Sequence, residues 1–229
     1  GASLTAPGES GWTSSATAYQ FGAAATLTDN RTAAALRYTG AAATLTLGSL
    51  NLQTYGLLNG GTGALTVGTG TSGTGALTTP SGGGNLYVTA ANGQTINLYA
   101  PITDNGGAVT LVKSGGGTVT LAGRSPNNVA NAFTGGIVLN GGTLTPMNSG
   151  VNNNALTVNS STILDVGQEN IVNITTVSGI TLNNGSILSV QANTKTFTST
   201  GAVTGTGGIS LTQSGQGATI LNFTSTANT

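Results

Sequence analysis

The sequence predicts an all-β protein wound as a single right-handed parallel β-helix, or β-solenoid, with an irregular N-terminal segment. The first observation is composition: Gly, Thr, Asn and Ser number 38, 42, 23 and 19 among 229 residues, over half of the chain. These residue types are poor helix formers, and the branched Cβ of Thr favours extended backbone. The second observation is a two-residue alternation of apolar and hydroxyl side chains. The third is a turn signal between successive alternating stretches.

The alternating stretches are short strands with one buried face, because every second side chain of a strand points to the same side. In these stretches Leu, Val, Ile and Ala alternate mainly with Thr or Ser. Strand starts recur about every ten residues, a spacing typical of sandwiches, barrels and solenoids. The stretches are 43–47, 64–67, 109–112, 118–121, 137–139, 155–158, 163–166, 180–182, 187–190 and 209–211.

Asn-Gly pairs separate many of these strands, and both residues accept the positive φ that a tight corner requires. The pairs lie at 59–60, 92–93, 105–106, 140–141 and 184–185. Strands and turns at this spacing fit either a β-sandwich or a solenoid. Three features favour the solenoid: aromatic residues make up 4% of the chain, the strands are very short, and 60–66 nearly repeats as 72–78. With about three strands per coil, we expect about six to eight coils over roughly 30–40 Å.

Residues 1–40 differ from the rest and are predicted to form an N-terminal cap or subunit-contact segment, which leaves 41–229 as the β-solenoid domain. This segment holds the best helical window of the chain, at 29–40, although so short a helix is marginal without a face to pack on. It also holds a cluster of three aromatic residues, Trp12, Tyr19 and Phe21. Their side chains either cover the first coil or anchor the chain on another subunit, as exposed tryptophan often does.

Composition excludes most catalytic and ligand-binding classes. The chain has no Cys and no His, which removes a histidine base, a thiolate nucleophile and the usual zinc sites. Five Lys or Arg balance five Asp or Glu, which leaves too few cations for a nucleic-acid surface. No apolar run is long enough for a membrane-spanning helix. We therefore expect no enzyme activity, no catalytic residues, no cofactor, no metal site, no nucleic-acid partner and no membrane span.

Two motifs have a chemical interpretation and a plainer structural one. Residues 68–73 match the dinucleotide-binding pattern G-x-G-x-x-G, but the next residues, 74–80, cannot form the required helix, so a Gly-rich corner is expected. Asp165 and Glu169 are the close carboxylate pair that a polysaccharide-acting β-helix would need. Alternation with Leu164 and Val166 places Asp165 on the outer face, so solvated surface charge is the better interpretation.

Residues 111–144 carry a more specific motif. They begin with Leu-Val-Lys-Ser-Gly-Gly-Gly-Thr-Val-Thr-Leu-Ala-Gly and end with Asn-Ala-Phe-Thr-Gly-Gly-Ile-Val-Leu-Asn-Gly-Gly-Thr-Leu. This resembles the autotransporter-associated β-strand repeat, whose pattern begins L-x-K-x-G-x-G-T-L-T-L-x-G and continues N-x-(Y/F)-T-G-G. The stretch 124–130 is longer than the spacing of that family, and it predicts an outward loop at one corner.

The resemblance implies a secreted or surface-displayed bacterial β-solenoid, of the kind that forms the passenger stalks of adhesins. It is informative about fold and much less so about function. The chain begins with Gly1 rather than Met, so we expect a processed product or a piece of a longer protein.

Edge and charge arguments favour self-assembly as the function. Residues 200–229 carry no charged side chain, and 220–224 has the composition of a strand near the end of the chain. Strand edges without charged gatekeepers are templates for further pairing. We therefore expect a non-enzymatic extracellular structural protein that stacks end to end with copies of itself into a filament or surface layer. The expected subunit contacts are Trp12, Tyr19, Phe21, Ile220, Leu221 and Phe223.

Two alternatives stay open. The chain could be a stalk or adhesin fragment of a longer autotransporter-like surface protein, with a cell-surface or matrix polysaccharide as a partner. A third hypothesis is a β-helix enzyme that acts on polysaccharides.

Overall fold

The computed structural model describes residues 8–69, 73–122, 130–147, 151, 153–166, 174–192, 195–213 and 220–225. Apart from a 3-10 turn at Glu9–Gly11, the regular elements in these residues are β-strands. They are β1 (Thr13–Phe21), β2 (Ala25–Thr26), β3 (Arg31–Tyr38), β4 (Ala43–Thr46), β5 (Leu52–Asn59), β6 (Leu65–Val67), β7 (Leu77–Thr78), β8 (Gly84–Ala90), β9 (Thr95–Leu98), β10 (Val109–Ser114), β11 (Thr118–Leu121), β12 (Ile137–Leu139), β13 (Gly142–Pro146), β14 (Ala155–Val158), β15 (Thr162–Asp165), β16 (Ile174–Val177), β17 (Gly179–Leu182), β18 (Ile187–Ala192), β19 (Thr196–Ser199), β20 (Val203–Gly205), β21 (Gly208–Gln213) and β22 (Ile220–Phe223).

These strands stack into two long parallel sheets. The first sheet has the order β1-β3-β5-β8-β10-β12-β14-β17-β20, with the short β7 paired beside it to the start of β5, and the second has the order β2-β4-β6-β9-β11-β13-β15-β18-β21. Each winding of the chain, which we call a rung, adds one strand to each sheet. The nine rungs form a β-solenoid of about eight turns, roughly 38 Å long at a strand spacing of about 4.8 Å. The predicted parallel β-solenoid is confirmed, and the β-sandwich alternative is wrong.

A third sheet is short. It consists of β16, β19 and β22 and belongs to the last three rungs. In the earlier described rungs, isolated bridges between Leu77 and Ile102 and between Thr103 and Ala132 occupy the third side. A side chain also replaces part of the ladder there, because Asn131 Oδ1 accepts the Ile102 N–H at 2.7 Å. On this side the described residues form a three-stranded sheet only in the last three rungs, and in an earlier rung the two-residue strand β7 pairs with the start of β5.

Regular rungs begin at Thr13, inside the segment that we expected to be irregular. The helical window at 29–40 contains strand β3, which lies between β1 and β5. Three side chains of β3, those of Ala33, Leu36 and Tyr38, are 0% exposed. Burial of these side chains in the core overrides the helical propensity of the alanines.

The core consists of columns of apolar side chains, with one member from each rung. In the second sheet, one such column is fully buried and contains Leu65, Ile96, Val119, Leu144, Leu164 and Val190. Each fully buried aliphatic side chain contributes roughly 1.5–3 kcal/mol. The same column continues to Leu211, which is 48% exposed in the last rung.

Candidate functional sites of the column

The N-terminal rung buries the aromatic cluster predicted from the sequence. Trp12, Tyr19 and Phe21 are 1%, 6% and 9% exposed. The Trp12 and Phe21 ring centroids lie 5.1 Å apart, and Phe21 lies 5.0 Å from Tyr38 of the next rung. Tilted rings at these separations are favourable pairs. The three side chains are therefore buried at the first rung, while a role as a cap or in a subunit contact stays a prediction.

An ion pair stabilises the same N-terminal end of the column. Arg31 Nε donates to Glu9 Oε2 at 2.6 Å, and Thr28 Oγ1 donates to Glu9 Oε1 at 2.7 Å. The hydrogen bond from Arg31 holds the pKa of Glu9 below its ordinary value. Sequence reasoning missed this pair, because Glu9 and Arg31 are 22 positions apart and no local pattern joins them.

The C-terminal rung has the opposite character. Ile220 and Phe223 of β22 are 54% and 37% exposed, whereas Leu221 is half-buried against the core. Strands β20, β21 and β22 each end their sheet within the described residues. Their outer edges, together with exposed Leu211, present backbone groups and apolar side chains in the plane of a further rung. The three predicted C-terminal contact residues therefore lie together at this open end.

A buried lysine lies in the middle of the column. Lys113 follows Val88 and precedes Leu139 in an inward column of the first sheet, and it is 0% exposed. Its Nζ donates to the carbonyl oxygens of Gly115 at 2.7 Å and Gly117 at 2.9 Å. It also donates to Gly141 of the next rung at 2.6 Å. The ammonium group therefore joins the corners of two successive rungs.

Burial lowers the pKa of Lys113 from 10.5 to about 8, because the interior disfavours the charged form. The sequence contained the signal for this site. Alternation along β10 places Lys113 on the same face as Val109 and Leu111, both of which are buried. The repeat-like motif included this lysine, but the sequence interpretation assigned it no role.

A second corner is held by a carboxylate. Asp104 Oδ1 accepts the Val109 N–H at 2.7 Å and the Thr134 N–H at 3.1 Å, and Oδ2 accepts the Thr134 hydroxyl at 2.7 Å. Desolvation raises the pKa of Asp104, but these hydrogen bonds outweigh it and hold the pKa below its ordinary value. Asp104 thus joins adjacent rungs, as Lys113 does with the opposite charge.

The other sequence motifs are placed only in part. Gly68 and Gly73 both have positive φ, and each packs tightly on a neighbouring rung, as a corner requires, while 70–72 lies outside the described residues. Asp165 is half-buried on β15 and pairs with Gln191. Glu169 and positions 124–129 of the expected loop at 124–130 also lie outside the described residues, so the carboxylate pair has no described geometry.

No group of three or more acidic side chains that could hold a metal ion occurs within the part of the chain that the structure describes. In the same residues, no helix has the length and apolar character needed to cross a membrane.

Comparison with known proteins gives one partial similarity. The chain is 42% identical over 65 residues to an autotransporter adhesin, BmaC, of Brucella suis biovar 1 (strain 1330). The matched stretch covers 28% of this chain and 2% of that adhesin. No family model matches the chain, and no solved structure matches it. The similarity agrees with the β-solenoid and with an adhesin-like surface protein, while the repeat family stays a resemblance.

Proposed function

We propose that this chain is a stalk segment of a bacterial surface adhesin of the autotransporter type. The observation that carries the proposal is the parallel column itself, together with the partial similarity to an autotransporter adhesin. In such a column each added rung extends the molecule by about 4.8 Å. A long chain of the same winding would therefore hold a distant binding region away from the cell surface.

Side-chain contacts between rungs suit a stalk that must keep its shape. Asn159 Nδ2 donates to Asn140 Oδ1 at 2.9 Å, and Asn183 of the following rung donates in turn to Asn159. Lys113 and Asp104 join rungs at other corners. Because each rung contacts only its neighbours, such links between rungs determine how strongly the column resists bending and local opening.

Surface display is the part of the proposal that is tested most directly. Antibodies raised against the purified chain are expected to label intact source cells, and external protease is expected to remove the label without lysis. A cytoplasmic marker on the same cells serves as the control for integrity. Label that appears only after permeabilisation would contradict the proposal.

End-to-end assembly into a filament is a second candidate, favoured by the open C-terminal rung. Leu211, Ile220 and Phe223 are exposed there, on or beside strands that end their sheets within the described residues. A contact between this rung and the first rung of another copy would be heterologous and would propagate.

Electron microscopy and light scattering of the purified chain should then show filaments that the double variant Leu211→Lys, Ile220→Lys abolishes. The matched control is Tyr55→Lys, an exposed aromatic position in the third rung. A purified chain that stays monomeric at high concentration would contradict end-to-end assembly.

The proposed role is structural and includes no turnover. The purified chain is expected to release no products from a panel of acidic polysaccharides. Turnover that Asp165→Asn abolishes would instead support the polysaccharide-acting alternative.

A further inference from the structure

A groove lies on the outer face of the first sheet, across its first four rungs. It has a volume of about 260 Å³. Its floor is a column of small residues, in which Ala18 pairs with Ala35 and Ala35 pairs with Gly56. The next member of this column is Tyr87, which is 48% exposed and lines the groove at one end. At this column position three successive rungs carry only small residues, which leaves a depression in the surface. The Tyr87 side chain of the fourth rung closes the depression at one end.

The neighbouring column forms one wall of the groove. In it Arg37 pairs with Leu58, and Leu58 pairs with Thr89. Arg37 is exposed. Among the residues that line the groove it is the one with a charged side chain, and no carboxylate lies beside it in that lining. Arg31 on the same strand differs, because Glu9 pairs with it. The groove therefore combines an apolar floor, a half-exposed aromatic ring and a cation at its rim.

This combination selects the chemistry of the ligand. A tyrosine ring offers an apolar face for packing and a hydroxyl group for hydrogen bonding. A guanidinium group binds a carboxylate through paired, charge-assisted hydrogen bonds. A sugar ring has apolar C–H faces, and a hexuronic acid adds one carboxylate at its edge. Strand addition by a peptide is excluded at this place, because β3 and β5 have paired neighbours on both sides.

The dimensions fit a single sugar residue. Tyr87 and Arg37 lie two rungs apart, which is about 10 Å along the column. Two long side chains and one ring between them fill such a gap. A groove of about 260 Å³ is also just below the usual range of small-molecule pockets.

We propose that this groove binds one hexuronic acid residue of an acidic polysaccharide, with Tyr87 against the ring and Arg37 on the carboxylate. The inference stands on the geometry of the groove and does not require that the chain be part of an adhesin. Surface labelling and sugar binding can therefore fail independently of each other.

The test compares two probes of equal size and linkage, a trimer of galacturonic acid and a trimer of galactose. Isothermal titration and saturation-transfer NMR are expected to show binding of the acidic trimer to the whole chain, and at least tenfold weaker binding of the neutral one. Arg37→Gln is expected to weaken binding of the acidic trimer about tenfold, the loss typical of a hydrogen bond to a charged group. Arg37→Lys should recover part of the loss, since it restores charge without the paired geometry.

Two further variants separate the groove from the rest of the surface. Tyr87→Ala is expected to lower the affinity for the acidic trimer by a similar factor. Tyr55→Ala is the matched control, because Tyr55 is 37% exposed and does not line the groove. Circular dichroism confirms that each variant folds. Equal binding of both trimers, equal loss in Tyr55→Ala, preference for a sialylated trisaccharide or no binding at millimolar concentration would each overturn the proposal.

Discussion

At the scale of single residues, the most consequential side chain is Lys113. It occupies a position where the other members of its column are mainly aliphatic or aromatic, and its ammonium group meets three glycine carbonyls instead of a carboxylate. A buried cation without a carboxylate is tolerated only when its hydrogen bonds are satisfied. Lys113 thereby satisfies the corner carbonyl groups of two successive rungs, so loss of its ammonium group should lower the stability of the column.

Lys113→Met keeps the aliphatic stem and removes the donor. At neutral pH we expect it to lower the free energy of unfolding by about 1–3 kcal/mol, because buried carbonyls lose their partner. Denaturant unfolding followed by circular dichroism measures the change. Arg37→Met is the matched control on the outer face of the same sheet, and loss of that exposed cation should change stability by no more than about 0.5 kcal/mol. Equal effects of the two variants would show that the carbonyl contacts add nothing.

The same lysine should make stability depend on pH. Its pKa is about 8 in the folded chain, against 10.5 ordinarily. Between these values the unfolded chain binds more protons, so the free energy of unfolding should rise with pH in this window. From pH 8 to about pH 10 the rise should reach roughly 2–3 kcal/mol.

The measurement is the difference in stability between the native chain and Lys113→Met at each pH. Tyr38, whose pKa burial raises, titrates alike in both proteins and cancels from that difference. A difference that stays constant from neutral to alkaline pH would mean that the carbonyls keep Lys113 protonated.

At the scale of elements, the corners decide whether rungs can stack. A corner must turn the chain and also let the backbone of the next rung approach closely. Gly142, where β13 begins, has φ +70°, and a Cβ there would lie closer than 3.0 Å to the carbonyl oxygens of Gly115 and Gly117 and to Lys113 Nζ. Gly93 has a similar φ of +75°, but open space surrounds it. Comparing alanine variants at the two positions therefore separates the cost of backbone strain from the cost of steric contact.

Gly93→Ala should lower the free energy of unfolding by about 1–2 kcal/mol, the cost of the left-handed conformation for a residue with a Cβ. Gly142→Ala should cost this amount and in addition displace the Lys113 contacts, so we expect at least twice the loss. Thermal and denaturant unfolding of both variants provide the comparison. Losses of equal size would mean that the corner at Gly142 has room to relax.

At the scale of the whole molecule, the column is asymmetric. The first rung buries its aromatic residues, and the pair of Glu9 and Arg31 joins the turn before this rung to the second rung. The ninth rung leaves Leu211 half-exposed at the end of a core column, beside two further strands that end their sheets within the described residues. In a solenoid each rung is stabilised only by its neighbours, so strands that are paired on one side only within the described residues should open more readily.

Hydrogen exchange should report this asymmetry. Backbone amides of β20, β21 and β22 are expected to exchange at least tenfold faster than those of β10 and β11, which have paired strands on both sides. Amides of β1 should exchange at an intermediate rate, because aromatic packing and the ion pair protect that end. Exchange–mass spectrometry of peptides from each region measures these rates. Uniform protection along the column would contradict the asymmetry of the ends.

Much of the fold was predictable because strand alternation and Gly-rich corners are local properties. The inward orientation of Leu65 and Val119 follows directly from the period of two. The N-terminal strands were missed, since Ala33 to Ala35 have helical propensity and only burial between β1 and β5 makes them a strand. The outer groove was also missed, because it depends on Ala18, Ala35 and Gly56 falling in register across three rungs.

By itself, the sequence determined the class of fold, since side-chain alternation, short strands and small corner residues all act over a few positions. It also determined that chemistry based on His or Cys is absent. Only the tertiary structure decided which rungs are neighbours, and with that the clamp of Lys113 on Gly141, the pair of Glu9 and Arg31, and the groove between Tyr87 and Arg37. The physical reason is that these contacts join residues of different rungs. Their register depends on the length of every intervening turn, which no local pattern specifies.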